Sequence, residues 1–203
     1  MGLAASRVEK RLPLGTALLA SQLPDAIWPY LLLTGAETVS IVPGDTAMTP
    51  LRFDSYPWSH SLLMVAITGA LLALLYKALS GETRAAAFFA GLAVSHWVLD
   101  FISHREDMPL LPFGDLKVGL GMWNSVPLTV VVEGSMYLGA VAFFASGRKM
   151  KRSFWVLAAT LGVTYAANVL GPPPPGVPQI AVSMIALVPL VWWWGNKAGL
   201  PGA

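Results

Sequence analysis

The chain has 203 residues, of which 55% are hydrophobic and only 12% are charged, and its mean hydropathy is +0.62. Soluble domains carry about 25% charged residues, so this composition excludes an ordinary soluble domain and is typical of a multi-pass membrane protein. The lack of cysteine excludes disulfides and thiolate metal sites, and a formal net charge of +2 is too small to indicate a nucleic-acid partner.

Six segments are long and apolar enough to cross about 30 Å of hydrocarbon. In chain order they lie near 13–34, 58–80, 84–104, 123–146, 153–171 and 178–196. Pro24 and Pro29 fall inside the first segment, so we expect it to be kinked or partly unwound around Asp25. The sequence therefore predicts an all-α bundle of about six transmembrane helices, forming a single integral membrane domain over residues 1–203.

Basic residues are distributed unevenly between the connections. Ten of the thirteen lie at the two termini and in the second and fourth connections, whereas the other connections hold only Arg52, Arg105 and Lys117. Lysine and arginine are enriched in cytoplasmic loops of membrane proteins. This bias predicts that both termini are cytoplasmic.

Several ionisable residues fall within the predicted spans. His96, Asp100 and His104 follow one another at four-residue steps, which places them on one stripe of the third helix. Asp25 and His60 lie in the first two helices, and Glu133 lies in the fourth. Each such residue costs roughly 2.5–3.5 kcal/mol on insertion scales, so a shared cation would offset the cost of gathering them.

Histidine and carboxylate ligands without sulfur suit a divalent metal, zinc first, with manganese or ferrous iron as alternatives. Other interpretations of single residues stay open: His104 in the headgroup region, Asp25 as a cap for broken backbone, Glu133 as a structural partner of a histidine, and Asp107 as a solvated loop acid. A proton or ion relay uses the same residue types. Spacing alone does not separate these possibilities.

Three motifs occur in the order SQLPDAIWP, YPWSHSLL and SHWVLDFISH. With this order the chain resembles the YdjM-like, or domain-of-unknown-function 457, family of small bacterial proteins described as inner-membrane metal-dependent hydrolases. The resemblance implies a multi-pass protein of the bacterial inner membrane. It also implies metal-binding positions at Asp25, His60, His96 and Asp100. His104 would be a further ligand, with Ser61, Ser95 and Asn124 as outer hydrogen-bonding partners.

The leading functional hypothesis is a metal-dependent hydrolase with its site at the non-cytoplasmic face. The substrate would be a phosphoester or another lipid-linked ester, with membrane lipids as partners. Glu133 or Asp107 would act as general base or hydrogen-bond a ligand histidine. Two alternatives are an ion- or proton-handling transporter and a membrane scaffold whose metal or polar cluster is structural.

Overall fold

The structure is a computed structural model that describes residues 1–199, and this part of the chain is mainly helical. Its helices are α1 (Gly2–Val8), α2 (Leu14–Ser21), α3 (Leu23–Thr34), α4 (Pro57–His60), α5 (Leu62–Ser80), α6 (Thr83–Ser103), α7 (Val126–Ala145), α8 (Arg152–Leu170) and α9 (Val177–Ala198). Two small antiparallel hairpins pair β1 (Thr38–Ile41) with β2 (Leu51–Ser55) and β3 (Met108–Pro109) with β4 (Lys117–Val118).

The helices α5 to α9 are each long and apolar enough to cross a membrane. Their surfaces fit that role, since only 17% of the most apolar window of α5 and 6% of that of α9 are buried inside the protein. Leu71, Leu74 and Leu79 on α5 are 60–80% exposed. A helix that is apolar on its exposed face requires a lipid environment. The predicted all-α polytopic bundle is therefore confirmed.

The first predicted span is divided into α2 and α3, which meet at Gln22 (φ −123°, ψ 22°). The break has a local cause, because Pro24 has no N–H to donate to the preceding turn and instead fits the first turn of a new helix. Both pieces pack along α9. The contact is close: a Cβ on Gly195 would lie only 2.8 Å from the Cα of Gly15, and a Cβ on Gly15 would overlap the Trp192 carbonyl.

The second predicted span also begins with a break. A single turn, α4, ends at His60, and Ser61 has extended backbone (φ −69°, ψ 142°) before α5 begins. The Ser61 hydroxyl accepts a hydrogen bond from the Met64 N–H at 3.3 Å and so caps α5. This geometry places His60 at the junction of the two helices.

The two ends of the bundle differ in character. At one, here called the basic end, α1, the α5–α6 turn and the α7–α8 turn come together through Arg11–Glu82 (2.7 Å), Arg84–Glu9 (3.0 Å) and a hydrogen bond from Arg7. The other, here called the hairpin end, carries β1–β2, β3–β4 and the end of α6. The grouping of the N-terminal segment with these two turns agrees with the predicted topology. The cytoplasmic location of this end stays a prediction.

The segment after α6 folds back over the end of its own helix. The Leu120 N–H donates to the Phe101 carbonyl at 2.8 Å, and the Gly121 N–H donates to the His104 carbonyl at 2.6 Å. A Cβ at Gly119 would overlap the Arg105 backbone, so this close approach requires glycine. The fold-back covers the hairpin end of the bundle directly above the ionisable residues of α6.

Candidate metal centre

Three ionisable side chains from three different helices converge beneath the hairpin end. Asp25 lies in the first turn of α3, His60 at the end of α4 and His96 in α6, and one ligand atom from each lies within 4.8 Å of the others. The His60 Nε2 is 3.5 Å from Asp25 Oδ1, and the His96 Nε2 is 3.8 Å from Asp25 Oδ2. Asp25 is nine residues from the end of α3, roughly 14 Å along the helix axis.

Asp100 adds a second carboxylate to this group. Its Oδ2 lies 3.1 Å from His96 Nε2 and 4.0 Å from His60 Nε2. Asp25, His60, His96 and Asp100 are called the His–Asp cluster below. Ligand atoms bound tetrahedrally to one zinc ion at 2.0–2.1 Å are separated by about 3.3 Å. The N···O separations of the cluster, from 3.1 to 4.0 Å, are close to that value.

Two of these ligand atoms are buried and without a conventional partner. Within residues 1–199, neither His96 Nε2 nor Asp100 Oδ2 makes a hydrogen bond, although both are inaccessible to solvent. Buried polar atoms are almost always paired because an unpaired one costs about 1–3 kcal/mol. His96 Nε2 and Asp100 Oδ2 lie 3.1 Å apart but are not aligned for a hydrogen bond. This is the arrangement expected of two ligands of one cation.

The tautomer of the neutral His96 ring is set by the break between α2 and α3. Its Nδ1 lies 3.0 Å from the Ser21 carbonyl oxygen, which can only accept, so Nδ1 carries the proton. The lone pair of the neutral ring is then on Nε2, which faces the carboxylates. Metal-binding histidines are commonly oriented in this way by a carbonyl or carboxylate behind them.

His60 is held by a longer chain of hydrogen bonds. Its Nδ1 lies 2.6 Å from Ser59 Oγ, and that hydroxyl donates to Glu37 Oε2 at 2.6 Å. Glu37 is only 1% exposed, and its Oε1 also accepts the N–H groups of Trp58 and Ser59. Because Ser59 donates to the carboxylate, His60 Nδ1 donates to Ser59. The tautomer of His60 that matches these hydrogen bonds has its lone pair on Nε2, which faces the cluster.

His104 is placed in a different network. The helix ends at Ser103, so His104 leaves the stripe that the four-residue spacing predicts. Its Nδ1 lies 3.1 Å from Asp107 Oδ1, and the same carboxylate oxygen accepts the Tyr56 hydroxyl at 2.9 Å. The Arg105 Nε donates to Asp107 Oδ2 at 3.1 Å. His104, Asp107, Tyr56 and Arg105 are called the cap network, and Tyr56 links it to the cluster because its ring lies 5.3 Å from that of His60.

Asp107 is a buried member of this network, with 8% exposure, rather than a solvated loop acid. Burial by itself would raise the pKa of its carboxyl group. The hydrogen bond and charge of His104, and the hydrogen bonds from Tyr56 and Arg105, outweigh that effect and lower the pKa below its usual value. Asp107 is thus an ionised acceptor that orients its neighbours.

Glu133 is linked to the cap network only through Trp123, and no hydrogen bond joins it to the His–Asp cluster in residues 1–199. Its Oε1 accepts the Trp123 Nε1–H at 3.3 Å, and the Trp123 ring lies 4.4 Å from that of His104. A role for Glu133 in proton transfer stays a prediction.

Two of the three predicted outer partners make other hydrogen bonds in the structure, and the third is exposed. Ser61 caps α5, Ser95 donates to the Leu92 carbonyl of its own helix at 2.8 Å, and Asn124 is exposed. The groups that contact the histidines from behind are instead Ser59 and the Ser21 carbonyl. Sequence reasoning missed both, together with Glu37 and Tyr56. Ser59 could have been proposed from the sequence because it directly precedes His60. The Ser21 carbonyl could not, because a backbone carbonyl is present at every residue.

The donor set fits a divalent cation. It comprises two imidazole nitrogens and two carboxylates from three helices, α3, α4 and α6, which is the ligand chemistry of zinc, manganese or ferrous iron. Two carboxylates and two neutral imidazoles together carry a charge of about −2, which a divalent ion would neutralise in an environment where uncompensated charge is costly.

Comparisons with known proteins give one match, and it covers the whole cluster. No curated protein and no solved structure matches the chain at a significant level. The profile of the family described as YdjM inner membrane protein matches residues 1–171, which include α1 to α8 and every residue of both networks. The chain therefore belongs to the YdjM inner membrane protein family.

Proposed function

We propose that this protein is a membrane-embedded metal-dependent hydrolase that binds zinc, or else manganese or ferrous iron, in the His–Asp cluster. One observation carries the proposal: His60 and His96 are both anchored through Nδ1 and both direct Nε2 toward Asp25 and Asp100, and in the part of the chain described the buried Oδ2 of Asp100 has no hydrogen-bond partner. If the two histidines were protonated at Nε2, these N–H groups would need acceptors aligned for hydrogen bonding. The carboxylate oxygens are not so aligned, which favours a metal ion bound between them and the Nε2 atoms.

When bound, such an ion would supply a Lewis acid that polarises an ester oxygen and lowers the pKa of a water molecule. The protein's own residues do the rest. Glu37, through Ser59, and the Ser21 carbonyl keep both histidines in the tautomer that leaves Nε2 free. The aromatic rings of Trp28 and Tyr56 lie 6.2 and 5.3 Å from that of His60 and exclude water from that side.

Asp25 is the most accessible member of the cluster. Its side chain is 33% exposed, against 5% for His60, 8% for His96 and 15% for Asp100. A substrate would therefore reach the site past α3. We propose a phosphoester or another lipid-linked ester, because the cluster lies within the membrane-spanning bundle about 14 Å along α3 from its end, where a lipid-borne group can enter from the side.

The hydrogen bonds of Asp107 and Glu133 support the following proposal for proton transfer. Asp107 is proposed to position His104 rather than to accept a proton, because its oxygens already accept from three donors. Glu133 makes only one such hydrogen bond, to Trp123, among residues 1–199, and is the better candidate for general base.

The test is elemental analysis of the purified, detergent-solubilised protein beside a His96→Ala, Asp100→Ala double variant. We expect about one or two equivalents of metal in the wild type and none in the variant, with helicity unchanged. That result would justify a screen of phosphoester substrates, with loss of hydrolysis in the variant as the criterion. No metal in either protein, even after reconstitution with zinc, manganese and ferrous iron, would contradict the proposal and favour a proton-sharing cluster.

The second candidate is a structural metal in a membrane scaffold. Four protein ligands are enough to fill a tetrahedral site, which favours this role. Stoichiometric metal combined with no hydrolysis of any ester tested, and with a large loss of thermal stability on metal removal, would support it.

A further inference from the structure

A cleft at the basic end plays no part in the proposed hydrolase. It has a volume of about 410 Å³ and lies between α1, the start of α2, the end of α7 and the end of α9. Three cationic side chains line it, Arg7, Lys10 and Arg148, and its apolar walls are Leu12, Leu14 and Phe144. It is thus both positively charged and apolar.

These cations differ from others at the same end of the bundle. Arg11 pairs with Glu82 and Arg84 pairs with Glu9, whereas Arg7, Lys10 and Arg148 have no carboxylate within 4.0 Å in the described chain. Arg7 donates instead to the Ser146 carbonyl at 2.9 Å, and the Arg148 guanidinium lies 5.0 Å from the centre of the Phe144 ring. Both arginines are held in place by neutral groups, and within residues 1–199 no carboxylate pairs with either charge.

Arg7 and Arg148 are also close enough to repel each other. Burial and the charge of Arg7 together lower the pKa of Arg148. Like charges held together in a cleft are destabilising unless an anion lies between them. Arginine suits this role, because its planar guanidinium binds phosphate oxygens in pairs.

The apolar walls indicate the source of the anion. The cleft opens where the membrane-spanning helices α7 and α9 end, the level of lipid headgroups, and Phe144, Leu12 and Leu14 would contact an acyl chain or glycerol backbone. Basic pockets between transmembrane helices are known to bind phosphate-bearing headgroups. Inorganic phosphate has no apolar group that could contact these walls, so the apolar surface favours a lipid.

We propose that the cleft lined by Arg7, Lys10 and Arg148 is a binding site for the phosphate group of an anionic phospholipid. The lipid lies between α1 and the ends of α7 and α9, with its phosphate between the two arginines. It fixes α1 against the bundle at the end opposite the His–Asp cluster.

The test uses the full-length protein in a neutral detergent, with native mass spectrometry to measure retained lipid. Probes are phosphatidylglycerol, phosphatidylcholine with the same acyl chains, and inorganic phosphate. Removing a cation near an anionic headgroup costs about fivefold in affinity, so an Arg7→Gln, Arg148→Gln variant should bind phosphatidylglycerol about 25-fold more weakly. The matched control is Arg11→Gln, Lys151→Gln, which removes the same charge from the same end outside the cleft and should bind like the wild type.

Three outcomes would overturn the proposal. Equal weakening in the cleft variant and the control would show general attraction to charge rather than a site. Inorganic phosphate that displaces the lipid at equal concentration would show a free-anion site. If the wild-type protein binds phosphatidylcholine as tightly as phosphatidylglycerol, the cations do not determine which lipid binds. This comparison uses only the wild type, so it is valid even if the double variant does not fold.

Discussion

The Nε2 of His96 lies 3.1 Å from the Oδ2 of Asp100, one helical turn along α6, and neither atom has a hydrogen-bond partner in residues 1–199. On an ordinary helix such a pair would form a simple i, i+4 hydrogen bond. Here His96 Nδ1 is committed to the Ser21 carbonyl, so Nε2 has no proton to donate to Asp100 while the ring is neutral. The pair is poised for a cation from outside the chain.

The three histidines should differ sharply in their effect on metal binding. His60→Ala and His96→Ala each remove a ligand, so bound zinc should fall from about one equivalent per chain to background. His104→Ala should keep the metal, because its Nδ1 bonds Asp107 in the cap network. Elemental analysis of the three variants, after normalising for folded protein by circular dichroism, measures the difference. Loss of metal in His104→Ala as well would restore His104 to the ligand set.

Glu37 and Ser59 should affect metal affinity without being ligands. Ser59→Ala breaks the connection between His60 and the Glu37 carboxylate, and partners behind a ligand histidine are worth about 10- to 100-fold in affinity. We expect a weaker zinc dissociation constant in competition with a chelator, at unchanged stoichiometry. Glu106→Gln, which changes an exposed side chain just beyond α6, is the control and should bind like the wild type. Unchanged affinity in Ser59→Ala would mean that the chain of hydrogen bonds only caps α4.

The cap network should make stability depend on pH through Asp107. The pKa of this carboxyl is lowered in the folded protein, so its contribution is fully present above the unfolded value of about 3.9 and is lost as the pH falls through the lower, folded value. The thermal midpoint of the wild type should therefore drop below about pH 4. The Asp107→Asn variant should have a lower thermal midpoint at neutral pH, and this midpoint should change less as the pH falls below about 4. Asp115→Asn, an exposed acid on the same fold-back, should keep the wild-type slope.

The contact between α2 and α9 should tolerate no side chain. Gly195→Leu would force the helix away from Gly15, and overpacking of this kind costs about 1–3 kcal/mol. Gly139→Leu is the matched control, because a Cβ at Gly139 has no neighbour within 4 Å among the residues described. Thermal unfolding in detergent should show a lower midpoint for the first variant alone. Equal midpoints would show that α2 and α9 separate easily.

The long helices could be predicted from the sequence because crossing lipid imposes one strong requirement, a sustained apolar run. The structure ends α8 and α9 within two residues of the predicted spans. The first span could be predicted to break, since proline removes a backbone donor wherever it occurs. The position of the break at Gln22 could not, because it depends on how α2 and α3 each pack on α9.

The hairpin end shows the limit of sequence patterns. Strands of two residues such as β3 and β4 have no alternation to detect, and they are held by long-range contacts such as Gly121 to His104. His96 and Asp100 could be paired from their spacing on one helix. His104 shares that spacing, but the helix ends one residue before it. Periodicity cannot locate a helix end that is set by tertiary contacts.

The break between α2 and α3 also has a consequence for biosynthesis. The Ser21 carbonyl that orients His96 is held in place by two short helices packed along α9, which is synthesised after every residue of the cluster. A chain still emerging from the ribosome can insert α4, α5 and α6, with His60 and His96, before α9 is present to hold α2 and α3 in place. The cluster would therefore be completed only once α9 has been synthesised, so that chains shorter than this would lack the complete site.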